Sequence, residues 1–216
     1  MKAIILSAGQ GTRLLPHTEE TPKCLLPLGG DSNIIRWQLS QLEQAGVSEA
    51  VVVTGFYAEK VASDICGYSG KMKVRTLFNP FYNVADNLGS VWVARHEMTE
   101  DFIILNGDTL FSANVPEDLI KNAKDPLTMA VAYKEKFDSD DMKVTLNQEG
   151  TVHSVGKLIP LEDVHAESIG MILFRGNGPQ IFRDAVETVM TEQTSLKRYY
   201  LTVIDMLAKG ISIGTS

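Results

Sequence analysis

Four runs in the first half of the chain are short, apolar and rich in β-branched residues: KAIILSA from Lys2, EAVVVTG from Glu49, KVRTLF from Lys73 and FIILNGD from Phe102. Each is bounded by a glycine, an asparagine or a charge and reads as a buried strand. Between them lie helical patterns. Ile35, Leu39, Leu42 and Ala45 fall on one face before Gly46 stops that helix; a second run covers Tyr57 to Cys66 and a third Asn87 to Met98. Strand, helix and strand in this order predict right-handed crossovers and a parallel sheet whose ligands collect at the carboxyl ends of the strands. After Asp125 the runs LTMAVAYKE, MKVTLNQ, TVHSVGKL and ESIGMILF are strand-like and separated by turns, as in an antiparallel extension. Two helices, Pro179 to Glu192 and Ser195 to Lys209, follow. The fold class expected is therefore α/β: a mostly parallel, Rossmann-like central sheet, helices on both faces and a small antiparallel extension. No internal repeat or linker interrupts residues 1–216, which read as one domain.

Composition removes several functions. A formal charge of -7, from 27 acidic and 20 basic residues, excludes the basic surface that nucleic acid or an anionic membrane requires, yet leaves room for a local cluster that binds a small anion. MKAIILSAG is too short in apolar residues for a signal sequence, and no apolar stretch reaches membrane-spanning length. Cys24 and Cys66 are far apart and read as reduced thiols, so the expected location is the cytoplasm. The oligomeric state is not written in the sequence.

Behind the first strand stands LSAGQGTRLLPHTEETPKCLLPL, Leu6 to Leu28. It lacks the GxxxxGK[ST] spacing of a Walker loop. The Rossmann fingerprint also fails, with Leu14 where the third glycine belongs and Pro16 two residues on. What remains is a strand ending in a glycine loop whose N–H groups can approach phosphates, followed by cations at Arg13 and Lys23 on a path stiffened by Pro16, Pro22 and Pro27. Arginine forks onto two oxygens and lysine acts as a point charge, so the pair suits a polyphosphate. The plain alternative is a turn with two solvated cations.

The whole string resembles the signature L-x-A-G-x-G-T-R-L-x-P-x-T-x-x-x-P-K-x-L-L-P of the nucleotidyltransferases that make nucleotide-diphosphate sugars and alcohols. Leu6, Ala8, Gly9, Gly11, Thr12, Arg13, Leu14, Pro16, Thr18, Pro22, Lys23, Leu25, Leu26 and Pro27 match it. The resemblance implies the nucleotidyltransferase type A fold, a loop wrapped on a triphosphate, Arg13 at the leaving pyrophosphate and Lys23 at the attacked α-phosphate. It also implies magnesium on Asp108, at the end of the strand closing in Asn106-Gly107-Asp108; a turn or cap aspartate is the alternative there. Residues 1–125 are then the nucleotide-binding half and 126–216 the acceptor-side half.

NPFYNVADNLGSVWVARHEM, Asn79 to Met98, is similar to the NPxYNxxxNxxSLxxA segment of the phosphocholine, inositol-phosphate and phosphonate cytidylyltransferases, matching at Asn79, Pro80, Tyr82, Asn83, Asn87, Ser90 and Ala94. Amide side chains offer both donors and acceptors, which suits a pyrimidine edge. Asn83, Asn87 and Ser90 are the candidates for the base and ribose pocket, and turn chemistry with a helix cap at Asp86 is the alternative. On the acceptor side the resemblance extends to Lys143 and Lys157, for a phosphate or phosphonate, and Glu167, for an amine or choline; each alone also reads as a solvated charge. The implied reaction is transfer from CTP to a small phosphate- or phosphonate-bearing acceptor with release of pyrophosphate.

One departure stands out. The family holds its metal with a second aspartate in a W-x-E-I-D-T-like stretch, and the chain stops at Ile213-Gly214-Thr215-Ser216, which reads as the start of a strand. The expectation is a natural C-terminal segment beyond Ser216; the alternative is a metal site completed by nucleotide oxygens and water. Two other functions stay open: a hexose-1-phosphate nucleotidyltransferase using UTP, dTTP or GTP, and a nucleotide-binding regulatory module without turnover.

Overall fold

The protein is described by a computed structural model over residues 1–30 and 32–216. Its strands in chain order are β1 (Lys2–Ser7), β2 (Pro27–Gly29), β3 (Ser32–Asn33), β4 (Glu49–Thr54), β5 (Lys73–Phe78), β6 (Phe102–Asn106), β7 (Leu127–Ala132), β8 (Lys143–Leu146), β9 (Val152–Gly156), β10 (Ala166–Phe174) and β11 (Ile213–Thr215). The helices are α1 (Ile34–Gln44), α2 (Ala58–Cys66), α3 (Asn87–Val93), α4 (Asn114–Asn122), α5 (Gly178–Val189) and α6 (Leu201–Leu207). No described helix is long and apolar enough to cross a membrane.

The main path of the sheet runs β11-β7-β10-β6-β1-β4-β5, with β8 and β9 attached beside β10. β6, β1, β4 and β5 are parallel neighbours; the runs of β1, β4 and β6 are buried because both sides of the sheet are covered there, whereas β5, at the edge, is half-buried to exposed. Successive residues of β1 serve opposite cores. Ile4 and Leu6 pack with Leu88 and Val91 of α3, Phe182 and Val186 of α5, and Ile204 of α6. Ala3 and Ile5 pack with Ile35, Leu39 and Leu42 of α1, Val61 of α2 and Leu119 of α4. This is the mostly parallel, doubly covered sheet expected from the sequence.

The second half departs from the simple extension. LTMAVAYKE becomes β7 inside the main sheet, antiparallel to β10 and parallel to β11, so only β8 and β9 form the small antiparallel annex. The reversal is made by the nine-residue β10, which is antiparallel to β6 over Met171–Phe174 and pairs with β8 at Ala166 and Glu167. Ile213–Thr215 is a paired strand, in register with Leu127–Met129 of β7. The expected helix from Ser195 to Lys209 is broken into a 3-10 turn at Ser195–Lys197 and α6, because the intervening backbone is bonded elsewhere. Leu196 O and Arg198 O accept from Asp86 N–H and Leu88 N–H, at 2.6 and 3.3 Å. The expected helix from Asn87 to Met98 likewise tightens into a 3-10 turn over Ala94–Glu97. α4 was not legible in the pattern, since Pro116 stands in its first turn, where proline is tolerated.

β10 bends at Gly170, whose φ of +75° lies within the register shift between Ser168 and Ile172. A Cβ there would stand 2.2 Å from Asn106 Nδ2. Gly170→Ala is therefore expected to cost about 1–3 kcal/mol from backbone strain and overpacking. Urea denaturation checks it, and a midpoint equal to that of the native sequence would contradict it.

Candidate active site

β1 and β6 are parallel neighbours with Leu6 opposite Asn106, so the segments that follow them leave the sheet at the same level. The segment after β1 turns at Gly11, in the left-handed region at φ +75°. A side chain there would meet Lys23, whose Cβ lies 3.0 Å from the ideal Cβ position. Glycine thus lets Lys23 lie over the loop. Thr18, fully buried, donates from Oγ1 to Gly11 O at 2.8 Å and closes the loop from behind. A 3-10 turn over Thr12–Leu14 then presents Arg13.

After β6 the chain turns through Gly107 and Asp108. Buried Gln38 of α1 clamps this turn, its Nε2 donating to Asn106 O at 2.8 Å and to Thr109 O at 2.9 Å. Thr109 Oγ1 donates to Ile169 O at 3.0 Å. Asp108 is thereby held facing the loop, and Lys23 Nζ meets its Oδ2 at 2.5 Å. Arg13 Nη1 lies 3.2 Å from Asp140 Oδ2, and Lys157 Nζ lies 3.1 Å from Asp140 Oδ1. Lys157 first, and Arg13 after it, hold the Asp140 carboxyl below its ordinary range. Exposed pairs of this kind are weak and screened by solvent, so they do not lock these cations in place.

Arg13, Lys23 and Asp108 border a cavity of about 340 Å³. Of the expected nucleotide contacts, Leu6, Ala8, Gly9, Gly11, Thr12, Arg13, Lys23, Asn87, Ser90 and Asp108 line it. Asn83 does not line it and is exposed. The wall opposite the loop is built from the start of α3. Asn79, fully buried, donates from Nδ2 to Ser90 Oγ at 3.0 Å and accepts Phe81 N–H on Oδ1 at 2.8 Å. Asn87 Oδ1 accepts Tyr200 N–H at 2.8 Å, which fixes the segment that brings Tyr199 to the cavity. Tyr82 and Asn106, members of the matched segments with no role assigned from the sequence, also line it, as do Ser7 and Tyr199, for which the sequence pattern gave no signal.

A second, adjoining cavity shares Arg13, Asn87, Asp108 and Tyr199 and adds Lys157, Glu167 and Asp140. Lys157 Nζ stands 5.2 Å from the Tyr199 ring centre. Glu167 is paired with Lys134 at 2.7 Å, and Lys134 also meets Asp141 at 2.6 Å, which raises the ammonium above its ordinary range. Lys143 is buried away from both linings, its Nζ donating to Lys157 O at 2.6 Å. Neither cavity is lined by a histidine, and no cluster of three or more His, Cys, Asp or Glu suited to a metal occurs among the described residues. Asp108, a carboxylate open to the cavity, is nevertheless a group that magnesium takes when phosphate oxygens and water complete its shell.

Residues 2–141 match the family model described as nucleotidyl transferase. The chain belongs to the nucleotidyl transferase family. It is 32% identical over 122 residues to a choline-phosphate cytidylyltransferase of Streptococcus pneumoniae, covering 56% of this chain and 51% of that one. It is 36% identical over 132 residues to a CMP-5'-(3-aminopropyl)phosphonate synthase of Streptomyces rubellomurinus, covering 61% of this chain and 20% of that one. A UTP–glucose-1-phosphate uridylyltransferase of Haloferax volcanii is 28% identical over 149 residues, 65% of this chain and 56% of the other. The matched region thus spans about half or less of the first two relatives. The solved CTP:phosphocholine cytidylyltransferase of Streptococcus pneumoniae superimposes with a TM-score of 0.80 at 19% identity, covering 100% of this chain and 88% of that one, which establishes the common fold.

Cys24, beside Lys23, also borders the first cavity, and burial pushes its thiol up to about 12. It is a protonated packing group at neutral pH, whereas Cys66 is exposed. At about pH 8 a thiol reagent should titrate Cys66 alone in the native protein and both cysteines after denaturation; rapid reaction of both in the native state would contradict this.

Proposed function

We propose that this chain carries out magnesium-dependent cytidylyl transfer from CTP to a small phosphate- or phosphonate-bearing acceptor, releasing pyrophosphate. The observation that carries the reading is the meeting of Lys23 and Asp108 at one cavity that Arg13 also lines, together with Asn87 and Ser90 of α3, Tyr82 and Tyr199. Cations mark the polyphosphate end and the amide and hydroxyl groups mark the nucleoside end. The likeness of the Asn79–Ala94 segment to the cytidylyltransferases, together with the cytidylyltransferase relatives, supports CTP.

A phosphate monoester is largely dianionic at neutral pH, so its oxygen can attack without a general base. The acceptor oxygen forms a bond to the α-phosphorus in line with the bond that breaks to the β-phosphate, and pyrophosphate leaves with the electron pair. Arg13 neutralises charge on the pyrophosphate and Lys23 on the α-phosphate, both from a loop already set by Gly11 and Thr18. Asp108 would hold the magnesium, which supplies Lewis-acid polarisation when bound. Lys157 and Arg13 border the adjoining cavity and would receive the acceptor phosphate, with Glu167 beside them for a cationic group. Lys143 acts one step back, holding the Lys157 carbonyl.

Pyrophosphate release is the measurement that checks this, with CTP, UTP, dTTP and GTP each offered phosphocholine, aminoalkylphosphonates and hexose 1-phosphates. CTP should be preferred, and Asp108→Asn should lower its turnover by about a hundredfold or more with little change in thermal midpoint. Preference for UTP or dTTP with a hexose 1-phosphate would replace the reading with the sugar-nucleotide one. Near-normal turnover of Asp108→Asn would remove Asp108 from the metal site.

A further inference from the structure

Two carboxylates line the first cavity, Asp86 and Asp108. Asp108 is neutralised by Lys23. Asp86 is not neutralised: among the described residues no hydrogen bond or ion pair engages its carboxylate. It occupies the position before α3 where an aspartate ordinarily accepts an N–H of the first turn, and it makes no such bond. Its backbone, by contrast, is fully committed. It is extended at φ -77° and ψ -176°, its N–H donates to Leu196 O at 2.6 Å, and its carbonyl accepts Gly89 N–H at 3.0 Å. The backbone that carries this cavity-lining residue is therefore fixed, and its carboxylate is left without a protein partner.

A bare carboxylate in a site for a polyanion repels the ligand unless the part it faces offers hydrogen-bond donors. The wall around Asp86 is uncharged, formed by Tyr82, Ala85, Asn87 and Ser90, while the cavity's cations stand on the loop carrying Arg13 and Lys23. By charge the phosphates belong with the cations, which leaves the nucleoside for Asp86. We propose that the Asp86 carboxylate accepts a hydrogen bond from the 4-amino group of cytosine and so sets base selectivity. This rests on the reading of the cavity as a CTP site. An ionised carboxylate only accepts, and cytosine presents a donor at position 4, where uracil and thymine present a carbonyl oxygen. Acidic side chains read this amino group in nucleic acids by the same pairing. Uridine and thymidine nucleotides would set two acceptors against each other in a partly buried place, which adds repulsion to the lost bond.

Binding of three triphosphates in one magnesium-containing buffer tests this: CTP, UTP and the pyrimidin-2-one ribonucleotide, which has hydrogen in place of the 4-amino group. The native sequence should bind CTP about tenfold to a hundredfold more tightly than the pyrimidinone. Asp86→Ala should erase the difference between CTP and the pyrimidinone, weakening CTP while pyrimidinone affinity stays the same or rises modestly with loss of the unpaired charge. Asp86→Asn, which keeps the shape and adds an N–H donor, should narrow the gap between CTP and UTP. Equal weakening of CTP and pyrimidinone by Asp86→Ala would assign the carboxylate to a ribose hydroxyl or to the fold and overturn the proposal. So would CTP selectivity that survives both substitutions. A native protein with no preference for CTP over UTP would instead overturn the cytidylyl reading itself, and the base assignment with it.

Discussion

The ion pair between Lys23 and Asp108 is the contact around which the site is organised. It joins residues 85 positions apart, and it exists because β1 and β6 are adjacent parallel strands whose ends open side by side. Everything nearby serves that meeting. Gly11 leaves room for the lysine, Thr18 closes the loop behind it, and Gln38 reaches from α1 to hold the turn that carries the aspartate. Without a ligand the two charges satisfy each other across an open cavity. In the reaction proposed above, a triphosphate accompanied by a metal ion would offer each a better partner, the lysine a phosphate and the aspartate a cation.

The opposite wall depends on a second long-range tie. The chain around Leu196–Tyr200 gives up helical bonding to accept from Asp86 and Leu88 and to donate to Asn87. That exchange fixes the start of α3 and brings Tyr199 to the boundary of both cavities. The two adjoining cavities thus share Arg13, Asn87, Asn106, Asp108 and Tyr199.

Much of this was legible because the buried parallel strands leave an unbroken apolar record, and because the loop after β1 needs glycines and cations at fixed spacing. The signature loop and Asp108 came together as their positions suggested. What could not be read depends on partners far along the chain. The break before α6 answers to α3, more than a hundred residues earlier, and no local propensity encodes it. Lys143 has the composition of a surface charge but is buried, because β8 pairs with β9 and turns its ammonium onto the Lys157 carbonyl. Asn83 lies within a matching segment, yet the turn after Phe81 leaves it exposed outside the cavity. Asp86 sits where a cap is expected and caps nothing.

The central claim is that the loop cations form a polyphosphate seat before any metal or acceptor arrives. Calorimetric titration of pyrophosphate into metal-free protein tests it most directly, comparing the native sequence with Lys23→Ala and Arg13→Ala at low and high salt. Each substitution removes a charge-assisted contact, so affinity should fall about tenfold or more at low salt, and the salt dependence should flatten. Pyrophosphate affinity unchanged in both variants would contradict the account.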